Sequence, residues 1–140
     1  MASDYILRLI DQIALLLAEI LQLRKFGRAG EAQEQISKAC LKNIGLPFAL
    51  VKRSAPETIL EMLATGGGTQ HVRAIMLAEL LLQDAELSES AGQKREALIS
   101  RAQARAFIAH NLGQLSPEDQ TIYRAKLDAL SHSDVPSKDR

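Results

Sequence analysis

The segment "QHVRAIMLAELLLQDAEL", residues 70–87, constrains the chain most. At about 100° per residue, Val72, Ile75, Met76, Leu77, Leu80, Leu81 and Leu82 surround nearly the whole circumference of a helix. A helix apolar all round is a central one, because only a sheath of neighbours removes that much surface from water. The segment predicts a buried rod from about Gln70 to Leu87, capped by Thr69, with the other elements packed around it.

Composition says what the sheath is made of. The 140 residues include 22 Leu, 20 Ala and 11 Ile against 3 Val and 4 Thr. Leu and Ala favour helices and β-branched residues favour strands. No segment alternates strictly, so the expected class is all-α, with five to seven helices. A chain of this length buries a core without staples, and the single Cys40 excludes an intramolecular disulfide and fits a reducing compartment. Cys40 is expected as a small buried residue on a helix.

The first helix, from about Asp4 to Phe26, carries two stripes. Ile6, Ile10, Ile13, Leu17 and Ile20 form one, and Leu9, Leu16 and Leu23 run beside it. Together they cover roughly 200° of arc, about twice what a surface helix needs. Two coverings are therefore open: depth inside the domain, or a seam with a second chain. Asp4, Arg8, Asp11 and Glu19 interrupt the apolar run, which fits neither a secretory leader nor a spanning helix. A cytoplasmic protein is expected.

Gly27 is a turn residue, and a second helix follows to Asn43, with Ala32, Ile36, Ala39 and Cys40 as its inner face and Gly45 as its stop. "LPFALVKR" reads as a short helical turn. Ser54 is the cap expected for the helix of "SAPETILEMLAT", with Pro56 in its first turn and Ile59, Leu60 and Leu63 inward. The helix from about Gln93 to Asn111 is expected to bury Leu98, Ile99, Ala102, Ala106 and Ala109. Ser116 and Pro117 open a last helix ending near Leu130. Residues 1–131 are expected as one helical domain and 132–140 as a disordered polar tail.

"KFGRAGEAQEQISKACLKNIGLP", residues 25–47, resembles the second half of a tetratricopeptide repeat. Gly27 stands at the turn, Ala32 and Ala39 at the small packing positions and Ile36 at the large one between them. The helix pair from Gln70 to Gly113 resembles a second unit, with Ala97 and Ala104 at the small positions and Arg101 where a large apolar residue belongs. With "DYILRLIDQIALLLAEIL" in front, the chain also resembles a bacterial family of all-helical, repeat-like proteins. The resemblance implies antiparallel hairpins stacked as a right-handed superhelix and an interaction role. It carries no catalytic residue.

Motifs for chemistry are thin. Gly66, Gly67 and Gly68 are followed by Thr69-Gln70-His71, without the lysine of a phosphate loop, and no strand precedes them as a dinucleotide turn requires. Two readings stay open: a connection between helices, or amides that hold an anion at a helix start. His71, His110 and His132 share no helical face at ligand spacing, so no metal is expected. Carboxylate pairs such as Glu57 and Glu61 have the spacing of solvated helix faces, and no cofactor or activated nucleophile is expected.

Lys94, Arg95, Arg101 and Arg105 form the most basic patch, in a chain whose 17 basic and 17 acidic residues cancel. Zero net charge removes the long-range field of a dedicated nucleic-acid binder. The function expected is therefore a non-catalytic protein-interaction module, binding a protein or peptide or a second copy of itself. Its candidate contact residues are Ile6, Leu9, Ile13, Leu16, Ile20 and Leu23 on the first helix, with Arg101 and Arg105. The alternative is a small nucleic-acid-associated regulator using the Lys94–Arg105 face.

Overall fold

The computed structural model describes the backbone of residues 2–65 and 70–134, and their side chains apart from those of residues 2–10, 12 and 132–134. Seven α-helices and no strand are present among the described residues: α1 (Ala2–Lys25), α2 (Ala29–Ala39), α3 (Phe48–Arg53), α4 (Pro56–Ala64), α5 (Gln70–Ser90), α6 (Lys94–Asn111) and α7 (Pro117–Asp134). A π-helical turn, Cys40–Ile44, continues α2, and a 3-10 turn, Leu112–Gln114, follows α6. No described helix is long and apolar enough to cross a membrane.

The rod takes the central place. α5 packs against α1, α2, α4 and α6, and α6 carries α7. Leu77, Leu80 and Leu81 are fully buried, each contributing about 1.5–3 kcal/mol by leaving water. Ile20, Ile36, Ile59 and Phe107 close around them, and one apolar cluster runs from Ile13 to Leu130. Cys40 is buried within it, and burial pushes its thiol up to about 12. The expected inner residues of α2 are all buried, as are Ile59 and Leu63 of α4, while Leu60 is half-buried.

Two hairpins are closed by the same turn. After α1, the Arg28 N–H donates to the Leu23 carbonyl at 2.8 Å and the Gly27 N–H to that of Arg24 at 3.1 Å. After α5, the Gln93 N–H donates to Ser88 at 2.8 Å and the Gly92 N–H to Glu89 at 3.0 Å. Each pair satisfies carbonyls that a helix end leaves free, and each needs a left-handed residue, here Gly27 (φ 74°) and Gly92 (φ 81°). Five residues beyond each glycine a buried alanine, Ala32 or Ala97, begins the close approach of the next helix. Gly27→Ala and Gly92→Ala are each expected to cost about 1 kcal/mol in urea denaturation. An added Cβ would meet nothing within 4 Å at either position, so backbone strain is the whole effect.

Three expectations are corrected. Ser54 does not cap α4; its Oγ donates to the Leu50 carbonyl at 2.7 Å, and Ala55 stands at the N-cap without a side-chain bond. The linker between α3 and α4 is so short that Ser54 serves the end of the first helix instead. α7 runs to Asp134, past the stop placed at Leu130; it is capped as expected, the Asp119 N–H donating to Ser116 Oγ at 3.2 Å. The face of α6 is rotated: Ala97, Ser100, Gln103, Ala104, Phe107, Ile108 and Asn111 are buried, whereas Leu98, Ile99, Ala102 and Ala109 are exposed and Ala106 is half-buried. Ser100 and Gln103 point inward because their hydrogen-bond partners lie there. The Gly66–Gly68 run, the Thr69 cap and residues 135–140 of the expected tail lie outside the described residues.

Candidate functional site

One concave feature lies between α1 and α2. Ile13, Leu15 and Leu16 of α1, Ala39 of α2 and Met76 of α5 supply its apolar residues; Glu19, Gln35, Lys38, Lys42 and Asn43 complete the lining. The cleft is open and holds about 470 Å³, within the range of a ligand- or peptide-sized site. Lys38 and Lys42 are four residues apart, as are Ala39 and Asn43, so α2 and its π-helical extension present one continuous wall. π-helical turns recur at functional sites. Leu15 is 70% exposed at the rim.

The residues expected on α1 divide. Ile13 and Ile20 are buried against α2 and α5, and Leu16 and Leu23 are half-buried against the same core. Part of the surplus arc is thus covered within the chain, and Ile13 and Leu16 also line the cleft. The side chains of Ile6 and Leu9 lie outside the described residues.

The basic face of α6 is partly compensated. Arg101 pairs with Glu86 at 3.5 Å and with Glu89, and Arg24 of α1 reaches Glu86 at 3.4 Å. These ion pairs form a belt across α1, α5 and α6. Glutamates of α5 meet the arginines because the Gly92 turn folds α6 back along α5. Arg105 also makes an interaction within the fold. His71 is half-buried on α5 and His110 exposed on α6; His132 has no described side chain. No group of three or more His, Cys, Asp or Glu that could hold a metal occurs among the described residues.

Sequence reasoning missed a buried polar cluster. Asp84 of α5 accepts from Gln33 Nε2 of α2 at 2.9 Å, Lys52 Nζ of α3 at 2.8 Å and Ser100 Oγ of α6 at 2.7 Å. Lys52 also meets Glu96 at 3.2 Å and bonds Ser100. Beside it, Gln103 Nε2 closes on the carbonyls of Val51, Lys52 and Ser54 at 3.0–3.3 Å, capping the end of α3. A lysine beside a serine invites a nucleophile reading. Ser100 is 0% exposed and lines neither cleft described here, so the arrangement ties four helices together. The sequence signal was a buried rod carrying an acid, Asp84, among its leucines.

Two smaller polar sites complete the picture. Tyr123 of α7 donates to Glu79 of α5 at 2.7 Å, and Lys126 pairs with Glu79 at 3.1 Å. Burial and the Glu79 carboxylate hold the Tyr123 phenol well above its ordinary range. Arg73 of α5 donates to the carbonyls of Ile44 and Leu63 at 3.3 and 3.0 Å, beside a second open cleft lined also by Thr58, Glu61 and Met62. It caps the carbonyl ends of α4 and the π-helical turn, where positive charge suits the helix dipole.

The sequence matches no protein-family profile, and neither the curated proteins nor the solved structures contain a significant match to it.

Proposed function

We propose that the protein is a non-catalytic interaction module that holds a segment of a partner protein in the cleft between α1 and α2. The observation that carries this reading is the cleft itself, with apolar Ile13, Leu16, Ala39 and Met76 and the cations Lys38 and Lys42. Helical partner segments bind such grooves through a row of apolar anchors. Charge then selects among them: the two lysines outnumber Glu19, so the preferred segment is amphipathic and acidic on its outer face.

The hairpins, on this proposal, stack in the manner of tetratricopeptide proteins. The support is local: two identical glycine turns, each followed by a buried alanine five residues on and another at Ala39 or Ala104. No observation favours the nucleic-acid alternative, since Arg101 is engaged by Glu86 and Glu89.

The test uses a labelled synthetic helix with leucines on one face and glutamates on the other. Fluorescence anisotropy should show saturable binding that Leu15→Glu, or Lys38→Glu with Lys42→Glu, weakens about tenfold or more. No binding at low salt, or binding indifferent to both variants, overturns the proposal.

A further inference from the structure

The outward face of α1 is one continuous strip. From Asp11 to Lys25, every residue on an arc of about 120° centred on Ala18 is exposed. The middle of the strip is apolar: Leu15 is 70% and Leu21 39% exposed, with Ala14 and Ala18 beside them. Asp11 stands at one end and Lys25 at the other, and neither has an ion-pair partner among the described residues. Isolated exposed leucines are ordinary, but an apolar strip along one helix marks an interaction surface. We propose that this face joins two copies of the chain, α1 packing antiparallel on α1 about a two-fold axis beside Ala18.

Charge selects a second copy as the occupant. Asp11 and Lys25 lie seven residues on either side of Ala18, almost two helical turns, so they share its face. A two-fold axis at Ala18 therefore sets Asp11 of each copy opposite Lys25 of the other, twice in the dimer. A different helix would have to carry this charge order in reverse; α1 read in the opposite direction supplies it. Parallel pairing would oppose Asp11 to Asp11 and Lys25 to Lys25, so the antiparallel direction is selected too.

Shape agrees with charge. Leu15 and Leu21 lie three residues on either side of the axis, so Leu15 of each copy meets Leu21 of the other. Ala18 faces Ala18, where the missing bulk lets the two backbones approach closely, and Ala14 leaves room for Gln22. Such a surface is complementary to itself, as an isologous interface requires. Glu19 lies off the strip, toward the cleft that it lines, so the seam gathers no excess of either charge. Asp11, Ala18, Leu21 and Lys25 line neither cleft, and only Leu15 borders both surfaces, so the dimer does not rest on the reading of the cleft. One helix face is small for a specific interface, and the dimer expected is a weak, micromolar one.

The experiment is light scattering over a concentration series at low salt, combined with thiol cross-linking by oxidised glutathione. The unmodified chain should dimerise reversibly. Leu21→Glu should raise the dissociation constant about tenfold or more, while Ile122→Glu on α7, and Lys38→Glu with Lys42→Glu in the cleft, leave it unchanged. Asp11→Lys and Lys25→Glu should each weaken the dimer about threefold or more, and a mixture of the two variants should pair with each other in preference to themselves, because every facing charge is then opposite. Ala18→Cys should form a covalent dimer, since residues facing each other across the axis come within disulfide reach; Ala14→Cys, which opposes Gln22, should not. The unmodified chain controls for Cys40, which is buried, and circular dichroism confirms that each variant folds. A monomer at all concentrations, a dimer indifferent to Leu21→Glu, a mixture of the charge variants no tighter than either alone, or cross-linking at Ala14 and not at Ala18 overturns the proposal.

Discussion

Asp84→Ala is expected to lose about 3–5 kcal/mol of folding stability, read from urea denaturation. Asp84 is 4% exposed and accepts hydrogen bonds from α2, α3 and α6 at once. Its removal leaves the Lys52 ammonium, whose side chain is 14% exposed, with only the half-exposed Glu96 as counter-charge. It also orphans the donors of Gln33 and Ser100. A buried charge without its partner costs far more than the intact pair contributes. Since domains of this size are stable by about 5–15 kcal/mol in all, the loss is a large fraction of the total. The double variant Lys52→Met/Asp84→Leu, which removes both charges and keeps apolar volume, should recover most of it. A loss under about 1 kcal/mol for Asp84→Ala would show the carboxylate to be solvated.

Phe107→Ala is expected to cost about 3–5 kcal/mol by the same measurement, for a different reason. Phe107 is the largest fully buried side chain among the described residues. It belongs to the apolar cluster around α5, so its removal opens a void in a close-packed core that relaxes only in part. Asn111 holds the local backbone by donating to the Phe107 carbonyl at 2.8 Å, which also resists collapse. Phe107→Leu should cost noticeably less, because it leaves a smaller void. Equal losses for Leu and Ala would mean that ring shape, and not lost volume, sets the energy.

The helices themselves were legible because their causes are local. Apolar spacing, the turn at Gly27, and the Ser116 cap before Pro117 act within a few residues of where they are written. The centrality of α5 was legible too, since no local arrangement hides a helix apolar on every side. Of the candidate contact residues, Ile13 and Leu16 do line the cleft. Its other wall, at Lys38 and Lys42, could not be read, because nothing in "EQISKACLKN" says which helix will face it.

α6 shows where local reading stops. Its periodicity points to an inner face through Leu98, Ile99 and Ala102, whereas the structure buries Ala97, Ala104 and Phe107. The tertiary structure turns the latter face inward, because Gln103 finds three carbonyls at the end of α3 and Ser100 finds Asp84. A hydrogen-bond partner some fifty residues away, as Val51 is for Gln103, leaves no trace in a helical period.

What the sequence determined by itself is therefore the set of helices and the one that must be central, consequences of backbone preference and of the need to bury leucine. What only the tertiary structure decided is the rotation of α6, the ion pairs that compensate Arg101, the cluster around Asp84 and the cleft between α1 and α2. Each of these depends on which distant groups become neighbours, and desolvated polar groups are satisfied or orphaned only by neighbours.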